Sequence, residues 1–245
     1  MGGTRAVCGQ SATLLALVCR SSTTGSVCAF GGVAGRPLHN AQLDTLQLLA
    51  YDSYPLDAML QKLREHLEKI VPLTDDEFAF VCTHFTSKRF KKYQFLIQEN
   101  EFVKYSYFVV SGLLKLVYTD DSGKQHIISF AMEDWWESDF RAYYTQTQAT
   151  LSLECLEDSE VLCLSLEDYH KLRAGLPKVE RFFLEKSIFG CIASQQRILS
   201  LLTTNAKERY EQLLKQHPAL FQRVSKTLLA SYLGVSRETL SRLAS

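Results

Sequence analysis

Five side chains near the end of this 245-residue chain have the types and spacing for recognition chemistry: Arg237, Glu238, Thr239, Ser241 and Arg242. Arginine can give two parallel hydrogen bonds to guanine O6 and N7, and glutamate can accept from the cytosine amino group. Such groups read a sequence when the N-terminal end of a helix carries them into the major groove. The competing reading is a solvated helical hairpin in which Glu238 and Arg242 form an i, i+4 ion pair.

The residues before them supply a mount. Leu229, Ala230 and Leu233 lie three and four apart, so they share one helical face. Gly234 can take the positive φ that ends a helix sharply. Val235 fills the corner, and Ser236 is a ready N-cap for a second helix. Leu240 and Leu243 turn back onto the first helix, so the spacing predicts a helix, a turn and a helix. Lys226 and Thr227 open the first helix. With Ser236 and the five side chains above, they are the candidate DNA contacts. The whole chain carries no net charge. Its last stretch, Leu201 to Ser245, is different. Lys207, Arg209, Lys215, Arg223, Lys226, Arg237 and Arg242 stand against Glu208, Glu211 and Glu238, seven against three, for a net +4. That is the sign a DNA-binding module needs.

Ser236-Arg-Glu-Thr-Leu-Ser-Arg242 resembles the recognition helix of the cyclic-AMP receptor protein and fumarate-nitrate regulator (Crp/Fnr) family. The resemblance runs from about Leu60 to Leu243. Within it, Asp57–Lys69 has helical spacing, and Thr74-Asp-Asp-Glu77 is a capping box that opens a second helix. From Phe85 the period changes to two. Short strands over 107–110, 113–118, 125–131, 151–156 and 161–166, with a turn at Asp120–Gly123, predict a jelly-roll sandwich or barrel. Val109–Leu116 resembles the third and fourth strands of the cyclic-nucleotide-binding barrel. The fold class expected is therefore α+β: an antiparallel jelly-roll barrel, a long dimerisation helix, then a small all-helical helix-turn-helix domain.

In that family the barrel holds its ligand through a Gly-Glu pair and, some ten residues on, an Arg-Ser/Thr pair. The glutamate meets a ribose hydroxyl and the arginine meets the cyclic phosphate. Here those places fall on Glu137-Ser138 and Ala149-Thr150, so the arginine is missing. Glu133, Asp134, Glu137 and Asp139 make the region acidic, which opposes an anionic phosphate. Cyclic AMP and cyclic GMP are not expected to bind. Trp135 and Trp136, with Arg141 nearby, are the candidate lining for another effector, whose identity the residues do not give. The alternative for the two tryptophans is a place in the core. No cofactor is expected. Cys8, Cys19 and Cys28 are too widely spaced for the iron–sulfur cluster that some family members carry.

Pro177 to about Thr204 predicts the longest helix, with proline just inside its start. Ile188, Ile192, Gln195, Leu199 and Leu202 form one stripe, and Phe182 and Phe189 a second. A helix apolar on two sides packs against two things. One is its own barrel; the other, as the family resemblance implies, is the same helix of a second subunit. The domains expected are 1–56, rich in Gly, Ser, Thr and Ala, a disordered leader or a segment translated upstream of the real start; 57–176, the barrel; 177–204, the dimerisation helix; and 205–245, the helix-turn-helix reader.

Enzyme activity is not expected. There is no Gly-x-Ser-x-Gly and no phosphate-cradling glycine loop. The six histidines form no His-x-His pair, so they read as surface or capping residues. The seven scattered cysteines include no Cys-x-x-Cys and suit reduced thiols in the cytoplasm. No apolar run approaches the ~20 residues of a membrane helix. The partners implied are double-stranded DNA, a second copy of the chain and RNA polymerase, with no membrane. A different class remains open: a small-molecule sensor whose DNA binding is weak or vestigial.

Overall fold

The computed structural model describes residues 56–243. The leader expected at 1–56 lies outside the described residues, apart from Leu56. The first helix, α1 (residues 56–68), buries Met59, Leu63 and Leu67 at the predicted spacing. Helix α2 (Asp75–Cys82) opens on the predicted capping box. Thr74 Oγ1 accepts from Glu77 N, and the Glu77 carboxylate accepts from Thr74 N at 2.8 Å.

Eight strands follow: β1 (Phe85–Phe90), β2 (Phe95–Ile97), β3 (Tyr105–Ser111), β4 (Leu114–Thr119), β5 (Gln125–Ala131), β6 (Trp136–Glu137), β7 (Ser152–Cys155) and β8 (Ser159–Ser165). They form two antiparallel four-stranded sheets, ordered β1-β8-β3-β6 and β2-β7-β4-β5. The two-residue period decides which side chain enters which core. In β3 and β8, Tyr107, Val109, Val161 and Cys163 point between the sheets, where Leu114, Leu116, Leu153 and Cys155 join them. Phe108, Val110, Leu162 and Leu164 point the other way, under α1. Both faces of β3 and β8 are thus buried, which is why these two strands read as nearly continuous apolar runs. Between β3 and β4, Gly112 has φ +103°, and a Cβ there would lie 2.2 Å from Ser159 Oγ. No other residue fits.

The helices that follow are α3 (Phe140–Thr145), α4 (Leu166–Gly175), α5 (Lys178–Thr203), α6 (Ala206–Gln216), α7 (Pro218–Arg223), α8 (Lys226–Leu233) and α9 (Arg237–Leu243). Three of these, α3, α4 and α7, were not expected from the sequence. Each opens on a local signal: Asp139 as N-cap, Ser165 as N-cap, and Pro218 in the first turn.

Two readings need correction. His66 is neither a surface nor a capping residue. It is buried between Phe108 and Phe182, with ring centroids 4.9 and 5.5 Å away, and neither ring nitrogen has a partner. Nor do Phe182 and Phe189 form a second stripe. Phe182 is buried under the first sheet with Val179, whereas Phe189, two turns on, is exposed. The buried side chains of helix α5, Val179 and Phe182, both lie in its first third.

Candidate nucleic-acid interface and effector barrel

Helices α8 and α9 are set by apolar contacts and two caps. Ser225 caps α8, accepting from Leu228 N. Gly234 ends it at φ 67°, ψ 36°, and Val235 N bonds to Ala230 O at 3.0 Å. Ser236 Oγ accepts from Thr239 N at 3.1 Å, which starts α9. Leu229, Ala230, Leu233 and Leu240 are buried together, with Val235 packed against them. The opposite side of the mount presents Lys226, Thr227, Ser236, Arg237, Glu238, Ser241 and Arg242 to solvent, and Thr239 is half-buried. The Glu238 carboxyl is held below the usual range by backbone and Ser236 hydrogen bonding and by Arg237 and Arg242. All eight predicted contact residues therefore belong to one module, and seven of them are exposed.

Two of the cations counted in the tail are used elsewhere. Arg209 donates to Leu233 O at 2.9 Å and to Thr204 O, so it braces the module. Arg223 reaches back to the barrel. It is bidentate to Glu133 at 2.8 and 3.0 Å and to Glu157 at 3.0 and 2.6 Å. Glu133 also accepts from Gly112 N at 2.9 Å. Around this clamp, Trp135 meets the His217 ring edge-on at 5.3 Å. Ser231 Oγ donates to Gln125 O at 3.2 Å. Arg197 of α5 ties all three parts together. Its guanidinium donates to Ile127 O of β5 and to Tyr232 O of α8, and lies 3.6 Å from the centroid of the Tyr232 ring.

The structure does not bring the three candidate effector residues together. Trp136 lies in the outer core, with Phe85, Phe108, Phe182 and Phe183 around it. Trp135 faces His217, and Arg141 is exposed on α3. Trp136 thus takes the core alternative, because β6 pairs with β3 and turns it outward toward α5, whereas Trp135 stays 37% exposed and is not a core residue.

The acidity around residue 137 is matched internally. Asp134 pairs with Lys69 at 2.8 Å and Glu133 with Arg223. Glu137 is buried, takes hydrogen bonds from Ser129 Oγ at 2.5 Å and Ser138 N at 3.1 Å, and burial pushes its carboxyl up to about 7. Asp139 was noticed in the sequence only as a charge, but it has the most specific surroundings. Its buried carboxylate accepts from Ala142 N (3.0 Å), Thr150 N (2.9 Å), Thr150 Oγ1 (3.3 Å) and Leu151 N (3.2 Å). Ala149, at the place of the family arginine, is buried in the inner core. Its backbone bonds to Glu101 O and Asn100 N.

Helix α5 presents Ile188, Ile192, Leu199 and Leu202, and also Gln195, as an exposed stripe. No helix among the described residues is long and apolar enough to cross a membrane. Among the same residues, no group of three or more His, Cys, Asp or Glu side chains could hold a metal ion.

Comparison with known proteins fits this geometry. Residues 87–175 match the cyclic nucleotide-binding domain. The transcriptional regulatory protein btr of Bordetella pertussis is 28% identical over 151 residues, 57% of this chain and 61% of that relative's length. FixK2 from Bradyrhizobium japonicum superposes with a TM-score of 0.57 at 20% identity, over 65% of this chain and 82% of that one. A protein assigned to the crp/fnr family from Eubacterium rectale superposes with a TM-score of 0.55 at 15% identity, over 70% and 82%. Residues 87–175 thus resemble the cyclic nucleotide-binding domain, and the chain that carries them has the fold of the Crp/Fnr-type regulators.

Proposed function

We propose that the protein is a homodimeric, sequence-specific DNA-binding transcription regulator of the cytoplasm, whose barrel does not use cyclic AMP or cyclic GMP. One observation carries the reading. A rigid apolar mount behind α8 and α9 leaves Arg237 and Glu238 exposed in the first turn of α9, with Ser241 and Arg242 exposed further along it. That is the arrangement that meets base edges in a major groove. The name of the Bordetella relative supports it. RNA polymerase is the partner through which such a reader would act.

The Asp139 contacts support the second half of the proposal. An arginine facing a phosphate makes charge-assisted, bidentate hydrogen bonds. Here Ala149 offers a methyl group. The amides of Thr150 and Leu151, beside it, already serve the chain's own carboxylate. Leaving a buried anion unpaired costs ~3–5 kcal/mol, several hundred- to several thousand-fold in affinity.

A second reading, a sensor with weak DNA binding, is favoured by the withdrawal of Arg209 and Arg223 from any phosphate contact. Selecting bound sequences from random DNA over a range of salt separates the two. Enrichment of a site with half-sites about one helical turn apart is expected. No enrichment at low salt would overturn the reading. In titration calorimetry, a dissociation constant below about 50 μM for either nucleotide, roughly −6 kcal/mol, would overturn the barrel reading and point to Arg141. Leu199→Glu is expected to give a folded monomer by light scattering, since an unpaired carboxylate cannot be buried cheaply. A dimeric variant would refute the α5 interface.

A further inference from the structure

The exposed stripe of α5 repeats with alternating steps of four and three: Ile188, Ile192, Gln195, Leu199 and Leu202. That is the 3.5-residue period of a coiled-coil seam, in which a and d positions face a partner helix. Ile192 and Leu199 fall at a; Ile188, Gln195 and Leu202 fall at d. The four apolar members are 48%, 42%, 59% and 78% exposed, so this chain's own fold leaves the seam uncovered. Ile198, just before Leu199, and Leu184, one turn before Ile188, widen it and are exposed too. The helix's cation on the other side, Arg197, is turned inward to Ile127 O and Tyr232 O. The stripe therefore continues outward as one seam with a single polar interruption at its centre.

We propose that Gln195 fixes the register and direction of two parallel α5 helices. The inference rests on the homodimer reading above and deepens it. A carboxamide has both a donor and an acceptor. Two copies meeting across a two-fold axis can satisfy each other, the oxygen of one accepting from the nitrogen of the other. A slip of one heptad sets each Gln195 against Ile188 or Leu202 of the second copy. An antiparallel arrangement sets it against a-position side chains. Either leaves two buried amides without partners, which an apolar residue at the same place would tolerate. The amide costs affinity and supplies uniqueness, a use of single polar seam residues that is well attested. A fixed, parallel register also sets the spacing of two reader modules, because Arg197 ties the same helix to α8.

The test uses the full chain with a benzophenone amino acid at position 202, cross-linked by light and mapped by mass spectrometry, beside sedimentation equilibrium. With Gln195 present, one set of cross-links is expected, joining the 202 regions of two copies. Gln195→Leu should tighten the dimer about tenfold and add cross-links displaced by a heptad or running to the Ile188 end. Gln195→Asn should keep the single set with a weaker dimer. A Gln195→Leu protein that keeps the single set overturns the register role while leaving the dimer standing. A monomeric parent protein overturns the dimer reading and this inference with it.

Discussion

Helices α3 and α9 begin alike and end up doing opposite things. In each, a side chain at the cap accepts from a backbone N–H three residues on: Asp139 from Ala142 N, Ser236 from Thr239 N. Behind Ser236 the charged groups stay in water. At α3 the charge is the cap itself, and four donors within the fold consume it. A charged residue at a helix start is available to a ligand only where the fold leaves its hydrogen-bonding capacity unfilled. Changes around α3 should therefore fail as stability, and changes on α9 should fail as binding.

The largest expected effect is that of Asp139→Ala. It strands three backbone N–H groups, at ~1–3 kcal/mol each, so the loss is ~3 kcal/mol or more. For a chain of this size that lowers Tm by about 6 °C or more. The folded fraction should keep its DNA preference. An unchanged melting curve by circular dichroism would break the contrast between the two helices.

Next comes a pair of opposed titrations in the barrel. Burial lowers His66 from 6.5 to about 4 and raises Glu137 from 4.5 to about 7. For His66 the unfolded chain binds more protons between those values, so its contribution is lost as pH falls from 6.5 toward 4. For Glu137 the folded chain binds more, so its contribution is complete below 4.5 and lost as pH rises through 7. Each is worth about 3 kcal/mol at most, and in the intact protein they oppose each other. Relative to the intact protein, Glu137→Gln should gain stability from pH 4.5 to 7. His66→Leu should gain as pH drops from 6.5 to 4. Denaturant midpoints across that range measure both, and parallel curves for all three proteins would rule the pair out.

On the reader, Arg237→Ala should cost ~1–3 kcal/mol of specific binding and relax preference at one base position, with Tm unmoved. The smallest effect belongs to Lys226→Ala. It should weaken all sequences alike, by ~1 kcal/mol or less, and reduce the salt slope by about one. Gel shifts on specific and scrambled DNA distinguish the two. An Arg237→Ala protein with unaltered base preference would misplace the recognition face.

The helix-turn-helix was legible in the sequence because its instructions are local: a glycine where φ is positive, a serine cap at Ser236 and leucines at helical spacing. The alternating strands and the Asp120–Gly123 turn were legible for the same reason. What escaped depends on pairings distant in the chain. Arg223 counts as one more basic residue until the ends of β5 and β7 bring Glu133 and Glu157 to it, 90 and 66 residues away. His66 looks like a surface residue until β3 and α5 close around it. Trp136 looked available because nothing in its neighbours says that β6 pairs with β3. Helices α3 and α7 span six residues each, too short to show a period, and only their caps could have revealed them.

The third apolar cluster has a thermodynamic consequence. It runs without a break from Leu113, Ile127, Phe130 and Leu156 of the barrel into Leu213, Leu220, Leu229, Leu233 and Leu240 of the reader. Two parts that share one core cannot melt independently, because opening either exposes the apolar surface of the other. Heating should therefore give one cooperative heat-absorption peak for residues 56–243, with its calorimetric and van't Hoff enthalpies equal. The helix-turn-helix cut away from the barrel would lose half of its wall and, with it, most of its reason to fold.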